Sequence, residues 1–550
     1  MKGAFRRQSF LIALPVILLL LWTVVYPNVA VIVGSFEDGL GHWREFAASP
    51  ADREALWTSL VISVASVFAS LAIGVPLAFL LGRFDFPGRR LLRAVATLPA
   101  ALPPLVGVIA FLFLYGESGL ITRIVQRVLG MSEAPWRLKG VSAIVFVHAY
   151  TMYVYVFLFV SAGLERFDAT LDEAASGLGA STAQRLRRVT LPLLMPAVAG
   201  SALLVFMNAL GSFSAPYVFG GGLRVLSTQI LASKTNGALG LAYVETTVLT
   251  LSAVSGLLLF RWLDRKRKYT LASKGGRKRR VIRSRQVQIL TSIGAAVIVI
   301  ALVLPHLMVV LVSFARDGVW TTQVLPPEYT LENYRRLFSE AELWRPITNS
   351  VSMALVATAG NLVVCFLCAY LIVFRKFAGR RLLELLVALP WAIPATAIAL
   401  GLAATFNRND LLSARVLLVG TFWILPLAYF IRDIPLVASA VEGSLRQMDA
   451  SLEDAARGLG ASWMLTMRRV ILPAARPGLV AGCLLAAVTA VGEFVASVVL
   501  YTHANRPISM EILAQLRALA FGTSAAYSVL LILLVLLMTL AARSFEERLA

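Results

Sequence analysis

Long apolar runs dominate this chain and alternate with shorter polar stretches. Twelve runs reach the length of about 20 residues that a helix needs to cross a bilayer, and they divide evenly between the two halves. The runs are about 9–34, 57–82, 91–116, 140–163, 192–215, 240–260, 288–315, 347–374, 382–405, 415–438, 474–497 and 522–543. The pattern predicts an all-α membrane protein with twelve transmembrane helices.

A polar, helix-prone segment separates the fourth run from the fifth, and a second copy separates the tenth from the eleventh. The copies occupy 168–196 and 449–477, and at an offset of 281 they are identical at 16 of 29 positions. Each breaks at Gly-Leu-Gly, which predicts two short helices joined by a kink, because glycine adopts backbone angles that other residues avoid. In the first copy, apolar residues recur at helical spacing, at Leu171, Ala174, Ala175 and Leu178. Such a stripe suits a groove on a partner protein.

The repeat extends beyond this segment. Gly88-Arg89-Arg90 returns as Gly379-Arg380-Arg381, and Pro103 returns as Pro394, at an offset of 291. Prolines at this spacing predict that the third and ninth helices are kinked or broken, which membrane helices tolerate where they line a cavity. Two halves of equal topology predict a pseudo-twofold axis along the membrane normal.

The duplicated segment resembles the EAA loop of ABC-importer permeases. That pattern is a glutamate, two alanines, a glycine after three further residues, and then leucine-proline. The second copy departs from it by having Asp454 in place of the glutamate. The matching residues are Glu173, Ala174, Ala175, Gly179, Leu191 and Pro192 in the first copy, and Asp454, Ala455, Ala456, Gly460, Leu472 and Pro473 in the second.

The resemblance implies a fused permease of the type I ABC-importer kind, with both halves in one chain. Its two coupling segments, 168–192 and 449–473, would dock on two copies of a separate ATPase. Glu173 and Asp454 would form ion pairs with that ATPase, and Gly179 and Gly460 would make the bend that fits its cleft. ATP and Mg would be bound by the ATPase, with no cofactor on this chain, and a periplasmic or lipoprotein binding protein would deliver the solute.

Composition and charge support a membrane location. Hydrophobic residues make up 58% of the chain and charged residues 15%, with a mean hydropathy of +0.78. The net charge of +21 lies largely beside the apolar runs, where cytoplasmic Lys and Arg are expected, so we predict contact with lipid and no nucleic acid.

The distribution of these charges predicts the topology. Lys2, Arg6 and Arg7 precede the first run, and the stretch 261–286 has twelve basic residues against one acid. Both termini and this stretch are therefore predicted to be cytoplasmic, and the resemblance to ABC-importer permeases implies a bacterial inner membrane. The basic outer stretch 117–139 fits this topology poorly. The predicted units are a first half at 1–260, a linker at 261–287 and a second half at 288–550.

No enzyme site is evident in the sequence. A GxxxxGK[ST] phosphate loop is absent, so ATP hydrolysis is expected on another chain. The four histidines lack metal-ligand spacing, and no metal site is predicted. Cys365 and Cys368 lie within an apolar run and are interpreted as small packing residues.

Polar residues within the apolar runs are the candidates for a substrate path. Glu493 is the clearest, because a charge inside a membrane span is costly, and its counterpart in the first half is Ser212. Glu493 could face the path, or it could be tied to a neighbouring helix by hydrogen bonds. Ser214 and Asn208 lie nearby in the sequence, and Asn208 could instead bond between helices.

The sequence leaves two alternatives open, a different transporter class and a different solute. A major-facilitator transporter also has twelve spans and a basic central loop, but it has no use for two polar segments before spans five and eleven. Within importers, the motifs at Ala209–Pro216 and Gly492–Phe494 look most like those of ferric-iron permeases. Thiamine, polyamine and phosphonate permeases share the architecture.

Overall fold

A computed structural model describes residues 12–101, 103–165, 169–265, 280–282, 284–320, 323–409, 413–449 and 451–547. Within these ranges, eleven helices are long and apolar enough to cross a membrane, and a bent pair supplies the twelfth. In chain order, the spans are Ile12–Gly34, Pro50–Arg83, Pro104–Val128, Gly140–Glu165, Thr182–Leu210, Leu239–Phe260, Arg285–Ser313, Ala341–Phe374, the bent pair Arg380–Ala392 with Ala395–Thr405, Ile424–Leu445, Trp463–Val491 and Phe521–Ala541. The predicted all-α fold with twelve spans is confirmed.

The third and ninth spans are broken where the sequence predicts it. In the ninth, the two helical pieces meet at an angle of 108°, and Pro394 between them is extended, with ψ of 145°. In the third, a 3-10 turn at Leu98–Ala101 follows a short helix, and Pro103 is extended with ψ of 135° before a new helix begins. Proline breaks a helix because it lacks the backbone N–H and its ring clashes with the preceding turn.

The tenth span begins later than predicted. The apolar run starts near residue 415, whereas the helix is Ile424–Leu445. Ala414 and Arg415 have positive φ angles of 52° and 58°, and the N–H groups of Leu418 and Val419 both donate to the Phe406 carbonyl. These turns remove 415–423 from the helix, so hydropathy placed the boundary too early.

Shorter elements connect the spans. The helices are Gly41–Ala48, Arg89–Thr97, Leu120–Val128, Ala169–Gly177, Ser214–Phe219, Leu226–Thr235, Glu332–Ser339, Ser451–Gly458, Val495–Leu500 and Ile508–Arg517. Two-residue strands at Phe84–Asp85 and Arg280–Val281 pair in parallel, so the last part of the predicted linker contacts the turn between the second and third spans. Within that linker, residues 266–279 and 283 lie outside the described residues.

The first span of each half packs partly against the other half. Ala13, Leu20 and Val24 of the first span are buried in the same hydrophobic cluster as the core of the second half. In the same way, Ala295 and Val299 of the seventh span belong to the cluster of the first half. Other residues of the same two spans, Val31 and Met308, belong to the cluster of their own half, so each span packs between the halves and holds them together.

The inner helices of each half pack closely. In the first half the second span contacts the fourth, and in the second half the tenth contacts the eleventh. A Cβ at Gly74 would lie 2.8 Å from the Tyr153 carbonyl, and one at Gly478 would lie 2.4 Å from the Ala440 carbonyl. Small residues at these crossings permit the helix backbones to approach each other, as is common in membrane bundles.

Several basic side chains of the stretch 117–139 have partners. Arg123 is buried; it donates to the Gln323 carbonyl of the other half and lies 5.1 Å above the Trp320 ring. Lys139 pairs with Glu117 at 3.0 Å. These contacts give the charges a local structural role and account for their departure from the expected charge bias.

Candidate coupling segments and substrate path

Both duplicated segments form a short helix that ends in a left-handed glycine. The helices are Ala169–Gly177 and Ser451–Gly458, and Gly179 and Gly460 have φ angles of +80° and +81°. In the first, the Gly179 N–H donates to the Ser176 carbonyl and the Ala180 N–H to the Ala175 carbonyl. This is a Schellman turn, and the second copy repeats it. The kink predicted from Gly-Leu-Gly is present in both halves.

A second helix then leads without interruption into the membrane span. It is capped by Ser181 in the first half, with a reciprocal Gln184 bond, and by Ser462 in the second. One five-residue π-helical segment follows in each half, at Leu186–Thr190 and Met467–Ile471. These π-helical segments were not predicted from the sequence. Leu191-Pro192 and Leu472-Pro473 open the α-helical part of each span, where proline is tolerated.

The turn of each segment presents apolar side chains to solvent. Leu178 and Leu459 are 89% and 90% exposed. Ala174 and Ala455 are exposed, and Ala175 and Ala456 are half-buried. Such exposed apolar patches are typical of protein interaction sites.

The acidic residues of the two motifs are also at the surface. Glu173 and Asp454 are both exposed. Asp168 and Ala450, at the starts of the two copies, lie outside the described residues. Asp449 precedes the second helix and accepts the Ser451 N–H at 2.9 Å. That hydrogen bond holds the pKa of the Asp449 carboxyl below its usual value.

Glu453, beside the motif, is the coupling-segment residue that sequence reasoning missed. Its side chain is buried and accepts from Arg375, from Arg457 at 2.6 Å and from the Tyr370 hydroxyl at 3.2 Å. Tyr370 and Arg375 lie at the end of the eighth span, so the cluster attaches the second coupling helix to the membrane core. The signal available in the sequence was two adjacent acids, one of which has a basic residue four positions on, at helical spacing.

Glu493 is enclosed by hydrogen bonds in this structure. It lies in the break after the eleventh span, and its carboxylate accepts from Arg432 Nη1 at 2.5 Å. It also accepts the N–H groups of Ala496 and Ser497 and the Ser497 hydroxyl, so it caps the helix Val495–Leu500. Arg432, on the tenth span, was not singled out in the sequence. Its side chain is 39% exposed.

The first half has a neutral version of this arrangement. Ser212 occupies the position of Glu493, and its hydroxyl bonds to His148 Nε2 at 2.9 Å. The other ring nitrogen of His148 bonds to Ser66. Asn208 donates to the Leu204 carbonyl on its own helix, so no bond from its amide to another helix is seen among the described residues. Ser214 is buried.

The breaks of the two halves meet each other. A Cβ on Gly492 would lie 2.6 Å from the ring of Pro103, and one on Gly211 would lie 3.7 Å from Pro394. The broken end of the fifth or eleventh span in one half therefore packs against the proline break in the other. Phe213 and Phe494, which occupy equivalent positions just after these breaks in the two halves, are in edge contact, with ring centroids 5.8 Å apart.

Comparison with known proteins places this architecture in a family. The family of binding-protein-dependent transport system inner membrane components matches residues 74–269 and 361–550, so each half carries one copy. A probable ABC transporter permease protein, y4fN of Sinorhizobium fredii, is 30% identical over 92% of this chain and 89% of its own length. The ferric transport system permease protein FbpB of Actinobacillus pleuropneumoniae is 26% identical over 95% of this chain and 76% of its own.

Among solved structures, a bacterial alginate ABC transporter in complex with an alginate-pentasaccharide-bound periplasmic protein is 18% identical. It covers 48% of this chain and 97% of its own, with a TM-score of 0.42. The family match covers most of both halves, and the duplicated helices, turns and breaks repeat within them. The chain belongs to the family of binding-protein-dependent transport system inner membrane components, as an ABC-importer permease with both halves fused in one polypeptide.

Proposed function

We propose that this permease imports ferric iron, driven by two copies of a separate ATPase and supplied by a periplasmic or lipoprotein binding protein. The observation that carries the choice of iron is the similarity to a ferric transport permease along nearly the whole chain. The loop motifs at Ala209–Pro216 and Gly492–Phe494 support the same choice.

The coupling segments supply the mechanical connection. Each exposes a leucine at the tip of a rigid Schellman turn, and each continues directly into a span that ends at the contact between the halves. An ATPase that closes on ATP would move both turns toward each other. We infer that Glu173 and Asp454 pair with basic groups on the ATPase, because both are exposed and acidic. ATP and Mg would be bound by the ATPase, and both termini would lie on its side of the membrane.

Closure of the path on the side opposite the coupling segments would depend on contacts between the halves. These are the Gly492–Pro103 contact, the Phe213–Phe494 edge contact and the bond from Lys234 Nζ to the Val499 carbonyl. A solute entering from the binding protein must part them. Movement of the fifth and eleventh spans would do so, because each contact involves those spans or the short helices that follow them.

Iron would pass as cargo and would be held only briefly. Within the described residues, no group of three or more His, Cys, Asp or Glu side chains could hold a metal ion. Glu493 is engaged by Arg432, so it could meet a cation only after that pair opens. The binding protein would then determine most of the selectivity.

The test is reconstitution of the chain with its ATPase in lipid vesicles. Two ATPase copies should co-purify with each chain in native mass spectrometry, and ATP should drive accumulation of radioactive ferric iron when the loaded binding protein is added. Thiamine, a polyamine and a phosphonate are the competing cargoes. Uptake of one of these without iron uptake would replace iron and keep the importer, whereas ATP-independent uptake by the chain alone would contradict ATP-driven import.

A further inference from the structure

Two acidic side chains face each other inside the first half. Asp52 lies in the first turn of the second span and Glu245 in the second turn of the sixth, on the side opposite the coupling segments. They are 1% and 0% exposed, and their carboxyl groups are within hydrogen-bonding reach of each other. Asp52 Oδ1 and Glu245 Oε2 receive no hydrogen bond from any described residue. Two carboxylate oxygens whose lone pairs face each other repel unless a proton or a cation lies between them.

Among the described residues around Glu245, no basic side chain compensates the two acids. Ser233 donates to Glu245 Oε1 at 2.8 Å, and the neutral Gln229 side chain also contacts Glu245. On the neighbouring helix, His42 lies against Gly240, more than one turn along the span from Glu245. Lys234 follows Ser233 in the chain, but its ammonium reaches the Val499 carbonyl in the other half. Asp52 is therefore the charged group that acts on Glu245.

The second half shows what this position does without acids. The second and sixth helices of the second half begin at Ala341 and Phe521, which lie 291 and 282 residues after their counterparts Pro50 and Leu239. Asp52 therefore corresponds to Leu343 and Glu245 to Tyr527. The Tyr527 hydroxyl donates to the Leu343 carbonyl, so this hydrogen bond joins the sixth helix of the second half to the second helix of the same half. Both residue pairs therefore lie between the second and sixth helices of their half. In each pair two oxygen atoms face each other, and a hydrogen between them is needed to form a bond.

We propose that Asp52 and Glu245 bind one shared proton, and that this proton holds the helix Leu226–Thr235 in place through Ser233. Two carboxylates in contact in a low-dielectric site cannot both be ionised at low cost, and one proton converts their repulsion into a hydrogen bond. The helix that Ser233 anchors also places Lys234 at the Val499 carbonyl. Loss of the proton would separate the two acids and loosen this contact between the halves. The site is independent of the cargo and of the ATPase.

Infrared spectroscopy of the full chain in detergent tests the proposal directly. The wild type minus Glu245→Gln spectrum should contain the carbonyl band of a protonated carboxylic acid, and Asp52→Asn should remove the same band. Glu511→Gln is the matched control, since Glu511 is equally buried but pairs with Arg506 at 2.6 Å and should be ionised. Its difference spectrum should lack the band.

Thermal unfolding provides a second measurement. In the unfolded chain these carboxyls lose their protons near pH 4, so folding takes up a proton above that pH and rising pH destabilises the fold. The wild-type unfolding constant should rise about tenfold per pH unit until the pair ionises, and Glu245→Gln should abolish that contribution. An absent band, or stability that follows the Na⁺ or K⁺ concentration instead of pH, would overturn the shared proton in favour of a bound cation.

Discussion

The pair of Glu493 and Arg432 allows the clearest test of how charge is used at the contact between the halves. The Glu493 carboxylate accepts from Arg432 Nη1 at 2.5 Å, from the Ala496 and Ser497 N–H groups at 3.0 Å, and from the Ser497 hydroxyl at 3.1 Å. Glu493→Gln keeps the volume but removes the charge and turns one acceptor oxygen into an NH₂ group. That group must face a donor, so at least one of these bonds becomes a repulsion.

The expected cost follows from burial. Removing one partner of a buried ion pair costs about 3–5 kcal/mol. Glu493 is buried but the Arg432 side chain is 39% exposed, so solvent screens part of the loss and we expect about 2–3 kcal/mol. In one six-span half, a loss of stability of this size lowers the midpoint temperature of unfolding by about 5 °C or more. Ser212→Ala is the matched control in the first half, because it removes a single neutral bond to His148.

The assay is thermal unfolding in detergent, combined with a double-mutant cycle and with uptake by vesicles. Glu493→Gln should cost less in an Arg432→Gln background, since the charge pair is then already broken. Uptake measured well below the midpoint should also fall, because the capped helix Val495–Leu500 lies at the contact between the halves. A midpoint no lower than that of Ser212→Ala, with equal costs in both backgrounds, would refute the structural role of the pair.

Three further predictions concern the coupling segments and the linker. Gly460→Val should lower ATPase co-purification by about tenfold, because a left-handed φ costs other residues about 1–2 kcal/mol. Gly460→Asn should bind the ATPase normally, because asparagine tolerates this φ and nothing is found within 4 Å of an added Cβ. Equal losses in both variants would mean that the backbone angle is irrelevant. Glu453→Gln should detach the second coupling helix from Arg375, seen as faster amide exchange at 451–458 with the membrane core unchanged; unchanged exchange there would argue against an anchoring cluster. Cysteine at Lys274, in the linker outside the described residues, should react with a membrane-impermeant reagent only in permeabilised cells, and reaction in intact cells would reverse the topology.

Much of the fold could be predicted because its determinants are local. Hydropathy indicated twelve spans, although the third, Pro104–Val128, extends beyond the predicted run 91–116. The repeated Pro103 and Pro394 marked two breaks, whereas Pro76 and Pro435 lie inside continuous helices, so the repeat in both halves was the informative signal. The tenth span was placed too early because hydropathy does not register the turns at Ala414 and Arg415. In the candidate site, the Gly179 and Gly460 turns were predictable for the same local reason.

The partners of the charged residues could not be predicted. Glu453 bonds to Arg375 across 78 residues, and Glu493 to Arg432 across 61. Helical periodicity indicates that a face is polar, but it does not indicate which other helix that face meets. The sequence therefore could not show that the partner of Glu493 is Arg432.

The amino-acid sequence is sufficient to assign the membrane class and the glycine turns, because apolar length and glycine backbone freedom are local properties. The duplicated segments follow from the sequence as well, because aligning the two halves reveals them. The folded chain was needed to show that the first span packs against the ninth and the seventh against the third. It was also needed to show that Gly492 meets Pro103 and that Asp52 faces Glu245. Each of these depends on how helices distant in the chain pack side by side, and that is set by the fit of whole surfaces in the bilayer.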